Sequence, residues 1–219
     1  MVRRGTFPEG LTTAEIIPQL AVTEGLTGVV GRLPDEGALL PETYHFSFGD
    51  GRPEIVNRMA GAMADLLANL WQDRPSGFPL KTPTDALTLA SIVEKETAKP
   101  SERPRIAAVF LNRLKKGMRL QSDPTVVYGL IDGKRPLGRK LLGADLKKPS
   151  PFNTYVINGL PPLPISNPGA AALEAVLRPA KSQEIYFVAD GSGGHVFSKT
   201  LAEHNRNVAK WRKLNRANQ

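Results

Sequence analysis

Residues 84–98 read Thr-Asp-Ala-Leu-Thr-Leu-Ala-Ser-Ile-Val-Glu-Lys-Glu-Thr-Ala, an apolar pattern that ends in two closely spaced carboxylates. Apolar residues recur at helical spacing through the stretch, which predicts a helix. Thr84 is predicted to cap this helix, because its hydroxyl can accept a free backbone N–H, and Asp85 suits the positive end of the helix dipole. The acidic residues at the other end, Glu94 and Glu96, are the first candidates for chemistry.

A helical wheel separates these two carboxylates. At about 100° per residue, the apolar face is centred near Leu89, with Glu96 about 20° from that centre and Glu94 about 140° from it. Burial disfavours the charged form of a carboxyl group and raises its pKa, so Glu96 is the better candidate for a general acid. Breaking a glycosidic bond requires such an acid. The alternative is a structural salt bridge to a nearby cation, of which there are four: Lys95, Lys99, Arg103 and Arg105.

Length and composition indicate a folded protein. The chain has 219 residues, 41% of them hydrophobic, which is enough for a large domain with a buried core. No segment approaches the roughly 18 consecutive apolar residues of a membrane-spanning helix, and the first ten residues lack a signal peptide's apolar core, so the chain as given is expected to be soluble. It has no cysteine, which excludes disulfides, thiolate nucleophiles and thiolate metal sites.

The chain is basic. It has 29 Lys and Arg against 21 Asp and Glu, a formal charge of +8, which favours an anionic partner. Much of the excess lies in residues 134–148 and 199–216, and a solvated positive surface without a cognate partner explains it equally well. No nucleic-acid partner is expected, because no such motif is present and Trp211 is the only aromatic residue near the basic tail.

Hydrophobic periodicity and turn residues predict the remaining elements. Residues 184–190 and 195–198 flank a Gly-Ser-Gly-Gly turn and predict a β-hairpin, and residues 32–46 are predicted to be a loop that ends in a short extended piece. We predict an α+β fold, helix-rich, with a small antiparallel sheet. Further helices are predicted at residues 11–21, disturbed near Pro18, at 53–71, at 105–116 with Gly117 as its stop, at 169–177, and from Thr200 to about 214, while 118–129 passes from extended to helical.

Other chemistries lack their sequence patterns. His45, His195 and His204 show no ligand spacing and no His-Glu-x-x-His motif occurs, so no metal site is expected. There is no Gly-x-Ser-x-Gly, and residues 191–194 are better explained as a hairpin turn than as a nucleophile elbow. No phosphate-binding loop or dinucleotide fingerprint occurs, and no cofactor is expected. Two classes of function are therefore left: catalysis by carboxylates, and binding without catalysis.

A series of motifs resembles those of a known family. The motifs occur in one order at residues 90–98, 119–129, 152–155, 159–162, 167–169, 186–191, 193–195 and 204–205. Together they resemble the endolytic murein transglycosylases of the MltG (YceG-like) family over nearly the whole chain. Glu96-Thr97-Ala98 is also similar to the Glu-Ser-Ala signature of other lytic transglycosylases, so both resemblances point to Glu96 as the catalytic residue.

The resemblance implies cleavage of the MurNAc-β-1,4-GlcNAc bond of nascent glycan strands without water, leaving a 1,6-anhydroMurNAc end. A glycosidase that uses water or a covalent intermediate needs two placed carboxyl groups, whereas attack by the sugar's own 6-hydroxyl needs only one. We therefore expect Glu96 alone to act first as acid and then as base. The alternative is a non-catalytic glycan- or nucleic-acid-binding module.

Residues in the matching motifs are candidates for substrate binding, since they supply donors, acceptors and rings suited to sugars: Gln121, Ser122, Asp123, Tyr128, Asn153, Thr154 and Tyr155. Each of them could instead brace a loop, and Asp123 before Pro124 could cap a helix. Glu94 and His195 are candidates for supporting roles, although His195 could simply brace the hairpin.

The resemblance also implies an architecture and a place. Family members carry a membrane anchor and a LysM-like region before the catalytic part, so residues 1–50 are expected to be the N-terminal segment of the catalytic region and residues 51–219 the catalytic domain. The expected location is the outer, periplasmic face of the bacterial cytoplasmic membrane, reached only through that anchor. Peptidoglycan glycan strands are the expected partner, and peptidoglycan synthases are candidate partners.

Overall fold

The computed structural model describes residues 2–217, which form seven α-helices and two antiparallel sheets of two strands each. The helices are α1 (Thr13–Val22), α2 (Arg52–Gln72), α3 (Pro83–Glu96), α4 (Arg103–Lys115), α5 (Asp123–Ile131), α6 (Ala170–Leu177) and α7 (Leu201–Ala217). The strands are β1 (Val2–Thr6), β2 (Thr43–Ser47), β3 (Tyr186–Ala189) and β4 (His195–Ser198). The predicted α+β class is confirmed.

The helix that carries the two carboxylates, α3, begins earlier than predicted. Its N-cap is Thr82, whose hydroxyl accepts the N–H of Asp85 at 3.1 Å, while the Asp85 carboxylate accepts the N–H of Thr82 at 3.0 Å. Pro83 suits the first helical position, because its φ is already helical and it has no N–H to leave unpaired. Thr84 therefore lies inside the first turn, and its predicted capping role was wrong.

The larger hydrophobic core is built around α3. This helix packs against α4 and α6 and also contacts α2 and α5. Six consecutive residues, Thr88 to Val93, are buried, so neighbours cover more than one face of the helix. The Ser91 hydroxyl donates to the carbonyl of Thr88 at 2.7 Å and accepts the N–H of Ile165 at 2.9 Å. The C-terminal end of α3 is thereby fixed on several sides.

A second, smaller core lies between the N-terminal segment and the first half of α2. In the sheet beside it, β1 pairs with β2 so that Val2 lies opposite Ser47 and Thr6 opposite Thr43. The sequence predicted the second of these strands as an extended piece and did not predict the first. The buried members of this core are Phe7, Ile16, Leu20, Leu26, Leu39, Tyr44, Phe46, Ile55, Val56 and Met59.

The predicted β-hairpin is present near the C-terminus. Tyr186 pairs with Ser198 and Ala189 with His195, and α7 packs against both strands. Thr200 caps α7 as predicted, since its hydroxyl accepts the N–H of Glu203 at 3.2 Å. Contacts between β3 and α4, together with those between α4 and α3, bring the hairpin near the end of α3.

The other helices lie close to their predicted bounds. α1 continues through Pro18, and Gly117 follows α4 with a φ of +66°, the left-handed geometry of a helix stop. The segment predicted to pass from extended to helical includes the start of α5, which continues two residues beyond it to Ile131. Even the longest helix, α2 with 21 residues, is not apolar enough to cross a membrane, and neither is any other helix within residues 2–217.

Candidate active site

Glu96, the last residue of α3, lies on the wall of a cavity of about 400 Å³. The wall is assembled from α3, α4, the loops before and after α5, the β3–β4 hairpin and α7, so segments far apart in sequence meet there. Its lining residues are Glu96, Arg113, Leu120, Gln121, Asp123, Tyr155, Phe187, Val188, Ala189, His195 and His204.

The Glu96 carboxyl group has a neutral hydrogen-bond donor. Ser122 donates its hydroxyl to Glu96 Oε1 at 2.5 Å, and no salt bridge to Glu96 occurs within residues 2–217. Burial raises the pKa of Glu96 to about 7, against the opposing effect of the Ser122 hydrogen bond, and the charge of Asp123 raises it further. A carboxyl group with this pKa is protonated in a substantial fraction of molecules near neutral pH, as a general acid must be.

Glu94, two residues earlier, is enclosed by protein groups. Its Oε1 accepts a hydrogen bond from the Arg103 guanidinium at 2.8 Å and its Oε2 from the N–H of Gly169 at 2.9 Å. Its side chain is only 5% exposed. Burial raises the pKa of Glu94 also, while the Gly169 and Arg103 interactions act in the opposite direction. The structure therefore shields both carboxylates at least partly from solvent, because α3 is covered on more sides than a single apolar face implies.

Glu96 also borders a second cavity, of about 400 Å³, which Glu94 lines as well. A carboxyl group that borders two neighbouring cavities is placed to meet the middle of an extended ligand rather than its end. The remaining residues around this second cavity are Glu9, Gly10, Lys95, Thr97, Ala98 and Arg103.

Three of the seven substrate-binding candidates line the first cavity together with Glu96: Gln121, Asp123 and Tyr155. The Tyr155 hydroxyl donates to Asp123 Oδ1 at 2.6 Å. Burial and the neighbouring Asp123 carboxylate raise the pKa of Tyr155, so its hydroxyl remains a donor. Gln121 adopts a left-handed φ of +54°, and its N–H donates to the carbonyl of Thr154 at 3.1 Å. The next residue, Ser122, is the one that contacts Glu96.

Asn153 and Thr154 lie behind the cavity wall. Their exposed fractions are 1% and 0%, and their polar groups bond within the protein. The Asn153 amide donates to two backbone carbonyls of the preceding loop, at 2.8 and 3.1 Å. The Thr154 hydroxyl accepts the N–H of Ser122 at 2.9 Å and bonds the Thr125 hydroxyl at 2.8 Å. Thr154 thus holds the loop from which Ser122 reaches Glu96.

Tyr128 lies apart from the first cavity. Its hydroxyl donates to Glu36 Oε2 at 3.2 Å, and its ring packs against Phe152 with centroids 4.8 Å apart. It lines a different, mostly apolar cavity of about 420 Å³. Asp123 borders both of these cavities. Tyr128 therefore does not line the Glu96 cavity, unlike Gln121 and Asp123.

Arg113 was not among the residues predicted for the site. Its guanidinium donates to the backbone carbonyls of Ile185 and Leu120, each at 2.6 Å, and to that of Arg119 at 3.4 Å. The residue is 7% exposed. Burial lowers its pKa, while nearby acidic groups that include Glu96 raise it. The available signal was the position of this cation on the same side of α4 as the apolar residue Phe110.

Both histidines of the C-terminal region line the cavity. His195 Nδ1 lies 2.7 Å from Glu102 Oε2, and the His195 N–H donates to Glu102 Oε1 at 3.0 Å. His204, which lies in one of the matching motifs but was not a site candidate, stacks on Tyr186 with centroids 5.0 Å apart, and burial lowers its pKa. Within residues 2–217, no three His, Asp or Glu side chains form a group that could hold a metal ion.

Comparison with known sequences agrees with the motif resemblance. A family model described as the YceG-like family matches residues 2–210. The chain is 39% identical over 178 residues to the endolytic murein transglycosylase of Bacillus subtilis strain 168, covering 81% of this chain and 48% of that protein. It is 31% identical over a 229-position alignment to the enzyme of the same name from Streptococcus pneumoniae serotype 2 strain D39, covering 94% and 40%. The chain spans less than half the length of these relatives.

A solved structure has the same fold. The chain superposes on the crystal structure of a YceG-like protein from Listeria monocytogenes with a TM-score of 0.76 and 36% sequence identity. The match covers 93% of this chain and 75% of that one. The similarity therefore extends over most of this chain's fold.

Proposed function

This chain belongs to the YceG-like family, and on that basis we propose that it is a peptidoglycan lytic transglycosylase in which Glu96 is the acid and base. One observation carries the assignment of Glu96: it borders the cavity with a pKa raised to about 7 and with a serine hydroxyl, not a cation, bonded to it. The relatives that are named endolytic murein transglycosylases support the class of substrate.

The proposed reaction needs one carboxyl group. Protonated Glu96 donates its proton to the oxygen of the MurNAc-β-1,4-GlcNAc bond, and the bond from C1 of MurNAc to that oxygen breaks. The 6-hydroxyl of the same MurNAc attacks C1, and the Glu96 carboxylate takes the hydroxyl proton. Glu96 ends protonated as it began, no water is consumed, and the products are a free GlcNAc 4-hydroxyl and a 1,6-anhydroMurNAc end.

Other cavity residues bind the sugar and stabilise the charge that develops on it. Asp123, held by Tyr155, places a carboxylate in the same cavity as Glu96, where a negative charge stabilises an oxocarbenium-like C1. Gln121 offers an amide to the substrate from the same wall. Thr154 contributes indirectly, by holding the backbone of Ser122 while the Ser122 hydroxyl contacts Glu96.

The position of Asp123 in the Glu96 cavity also favours a second candidate function, hydrolysis. A glycoside hydrolase uses a second carboxylate to activate water or to attack C1, and Asp123 lines the same cavity as Glu96. In the structure its Oδ1 already accepts the Tyr155 hydroxyl, which suits a fixed charge better than a mobile base. Hydrolysis leaves a reducing MurNAc end, whereas the proposed reaction leaves an anhydro end.

The proposal extends to the substrate's setting. We propose that the enzyme acts on nascent strands at the outer face of the cytoplasmic membrane, beside peptidoglycan synthases, since glycan is polymerised there. The formal charge of +8 suits a polymer whose peptide stems carry carboxylates. A glycan-binding module without activity is the alternative, and it predicts binding with no new chain ends.

The decisive experiment digests purified sacculi and uncrosslinked glycan strands with the parent protein, Glu96→Gln and the control Glu24→Gln, whose side chain is 85% exposed. Mass spectrometry should find 1,6-anhydroMurNAc ends with the parent and the control, and about 10²- to 10⁴-fold fewer with Glu96→Gln. Undiminished product from Glu96→Gln, or no new chain ends from the folded parent, would contradict the proposal.

The same digestion in ¹⁸O-labelled water separates the two reactions. Transglycosylation should leave the label out of the new ends, whereas hydrolysis should place it at C1 of a reducing MurNAc. If labelled reducing ends dominate, the water-free reaction is wrong and Asp123 becomes the candidate for the second carboxyl group. Asp123→Asn then tests that role directly, because hydrolysis should stop in this variant.

A further inference from the structure

Glu102 and His195 form a closely bonded pair at the edge of the cavity. Glu102 ends the short 3₁₀ turn between α3 and α4, and His195 begins β4. One carboxylate oxygen of Glu102 lies 2.7 Å from His195 Nδ1, and the other accepts the His195 backbone N–H at 3.0 Å. Two contacts to one carboxylate fix both the position of the strand and the orientation of the imidazole.

The pair is tied to the end of the helix that carries Glu96. Thr97 directly follows Glu96, and its hydroxyl donates at 3.4 Å to Glu102 Oε2, the oxygen that also contacts His195 Nδ1. The hairpin passes close to these side chains at Gly194: a Cβ at this position would lie 2.7 Å from Glu102 Oε1 and 2.6 Å from Lys99 Nζ, so their ends would have to shift. The end of α3, the turn after it and the hairpin therefore meet at one carboxylate.

The contacts determine which ring nitrogen of His195 carries a proton. Burial alone would raise the pKa of Glu102, but the hydrogen bonds from the His195 ring and backbone, together with nearby positive charge that includes Lys99, lower it. An ionised carboxylate can only accept, so His195 Nδ1 is the donor. His195 Nε2 has no hydrogen-bond partner within residues 2–217, and it is not among the atoms that are buried without one. Because His195 lines the Glu96 cavity, Nε2 of the neutral form of the ring presents an acceptor there.

We propose that Glu102 and His195 form a saccharide-binding dyad, in which Glu102 fixes the imidazole so that Nε2 accepts a hydrogen bond from a sugar hydroxyl beside Glu96. The identity of the sugar rests on the proposed function. Phe187, whose ring meets that of His195 edge-on with centroids 5.3 Å apart, limits rotation of the imidazole. His195 contacts the substrate directly, whereas Glu102 is a positioning residue that acts through His195.

The first test is spectroscopic and needs no turnover. The chain has three histidines, so ¹⁵N-histidine spectra are simple, and His195→Gln assigns the His195 signals. In the neutral form of the ring, His195 should carry its proton on Nδ1 and none on Nε2. The opposite tautomer would overturn the dyad. In Glu102→Gln the side chain loses its charge and one of its two acceptor oxygens, and the Nδ1–H form should lose its dominance.

An uncrosslinked GlcNAc-MurNAc tetrasaccharide added to labelled Glu96→Gln then probes the cavity without being cleaved. The His195 Nε2 resonance should move, and the His45 resonances should not, since His45 lies outside the cavity lining. Movement of other cavity resonances with Nε2 unchanged would show that the sugar binds elsewhere on the wall and would overturn the assignment. If no resonance moves, the saccharide is the wrong ligand class, which counts against the proposed function even where the tautomer is correct.

The second test compares kinetics on soluble uncrosslinked glycan. His195→Ala should lower kcat/KM about tenfold, chiefly through a higher KM, because one neutral hydrogen bond to the substrate is lost. His195→Gln offers an acceptor of similar reach and should recover part of that loss. Equal losses in both variants with KM unchanged would indicate a merely structural role. Thermal unfolding of each variant identifies any loss of activity that comes from misfolding.

Discussion

Glu94 and Glu96 lie two residues apart at the end of one helix, yet the protein gives them opposite surroundings. Both are buried enough for their pKa values to be raised. Glu94 has each oxygen occupied, one by Arg103 and one by the backbone of Gly169, and its side chain is 5% exposed. Glu96 has a single hydroxyl donor, from Ser122, and borders two cavities.

The difference shows that a raised pKa alone does not identify a catalytic acid. Burial raises the pKa of a carboxyl group whether or not a substrate can reach it. What separates the two residues is the chemistry of their partners: Glu94 joins α3 to α4 and to the start of α6 through charge and backbone contacts, whereas Glu96 keeps an oxygen available. The comparison supports the proposal that Glu94 stabilises the fold and that Glu96 acts in the reaction.

The largest expected effect on stability comes from Glu94→Ala. Arg103 is 8% exposed, and this variant removes the nearer of its two carboxylate partners, leaving Glu9 at 3.1 Å. Removing one member of a buried ion pair costs about 3–5 kcal/mol, and the remaining Glu9 contact reduces the expected loss to about 3–4 kcal/mol. Urea unfolding of Glu94→Ala against the parent measures it.

Substitution of Glu94 and of Glu96 should also affect activity differently, with the larger loss at Glu96. Glu94→Gln should retain much more activity per folded molecule than Glu96→Gln, because both oxygens of Glu94 are already bonded to Arg103 and Gly169. The comparison would fail if Glu94→Ala lost less than about 1 kcal/mol, the worth of an exposed ion pair. It would also fail if the order of the two activities were reversed.

Much of the fold could be predicted because its signals are local. The hairpin follows from alternating residues around a glycine turn, and the helices from apolar spacing with caps such as Thr200. The true cap of α3 was also present in the sequence: Thr82, then Pro83 at the first helical position, then Asp85 to close the capping box. β1 carries little such signal, since it is only partly buried and pairs with β2 about 40 residues away.

The site was less predictable because it depends on which groups meet in space. The wheel placed Glu96 towards the apolar face but could not show that a different element, the loop before α6, would close over Glu94 as well. Motif matches named Asn153 and Thr154 beside Tyr155, and only the fold shows that the first two point inwards while Tyr155 lines the cavity. Arg113 could be predicted as a site residue only by knowing that its face of α4 would meet the hairpin.

A smaller effect should appear in the pH dependence of stability. The pKa of Glu96 is raised from its ordinary value of 4.5 to about 7 in the folded protein, so the folded state binds this proton more tightly than the unfolded chain. Stability from protonated Glu96 is therefore fully present below about pH 4.5 and is lost as the pH rises through about 7. Glu96→Gln does not titrate, so its stability relative to the parent should rise by about 2–3 kcal/mol between these limits.

The measurement is the difference in unfolding free energy between parent and Glu96→Gln, taken at several pH values. Groups that titrate equally in both proteins cancel in this difference. Glu24→Gln, at a side chain 85% exposed, provides the matched control and should give a flat difference. A flat difference for Glu96→Gln would mean that Glu96 is ionised in the folded protein as readily as in the unfolded one, and the contrast with Glu94 would then rest on access alone.

The smallest expected effect, and the most specific to Glu96, comes from Ser122→Ala. The Ser122 hydroxyl donates to Glu96 at 2.5 Å and so favours the charged form, which means that its removal should raise the pKa of Glu96 further. If the reaction needs protonated Glu96, kcat/KM falls as the pH rises through this pKa, and the alkaline limb of the profile should move to higher pH in the variant. Its maximum should stay within about tenfold of the parent, since one neutral hydrogen bond is lost.

The control for this profile is Ser76→Ala, at an exposed serine far along the chain from the cavity lining, which should leave the alkaline limb in place. A limb that moves to lower pH in Ser122→Ala would mean that the serine stabilises the protonated acid rather than the carboxylate. An unmoved limb would mean that another group sets it. A shift to higher pH would support Glu96 as the group that sets the limb, with its pKa lowered by the Ser122 hydroxyl. Glu96 can then still gain and lose its proton at the cavity wall, whereas Glu94 has both oxygens bonded, one to the Arg103 guanidinium and one to the Gly169 N–H.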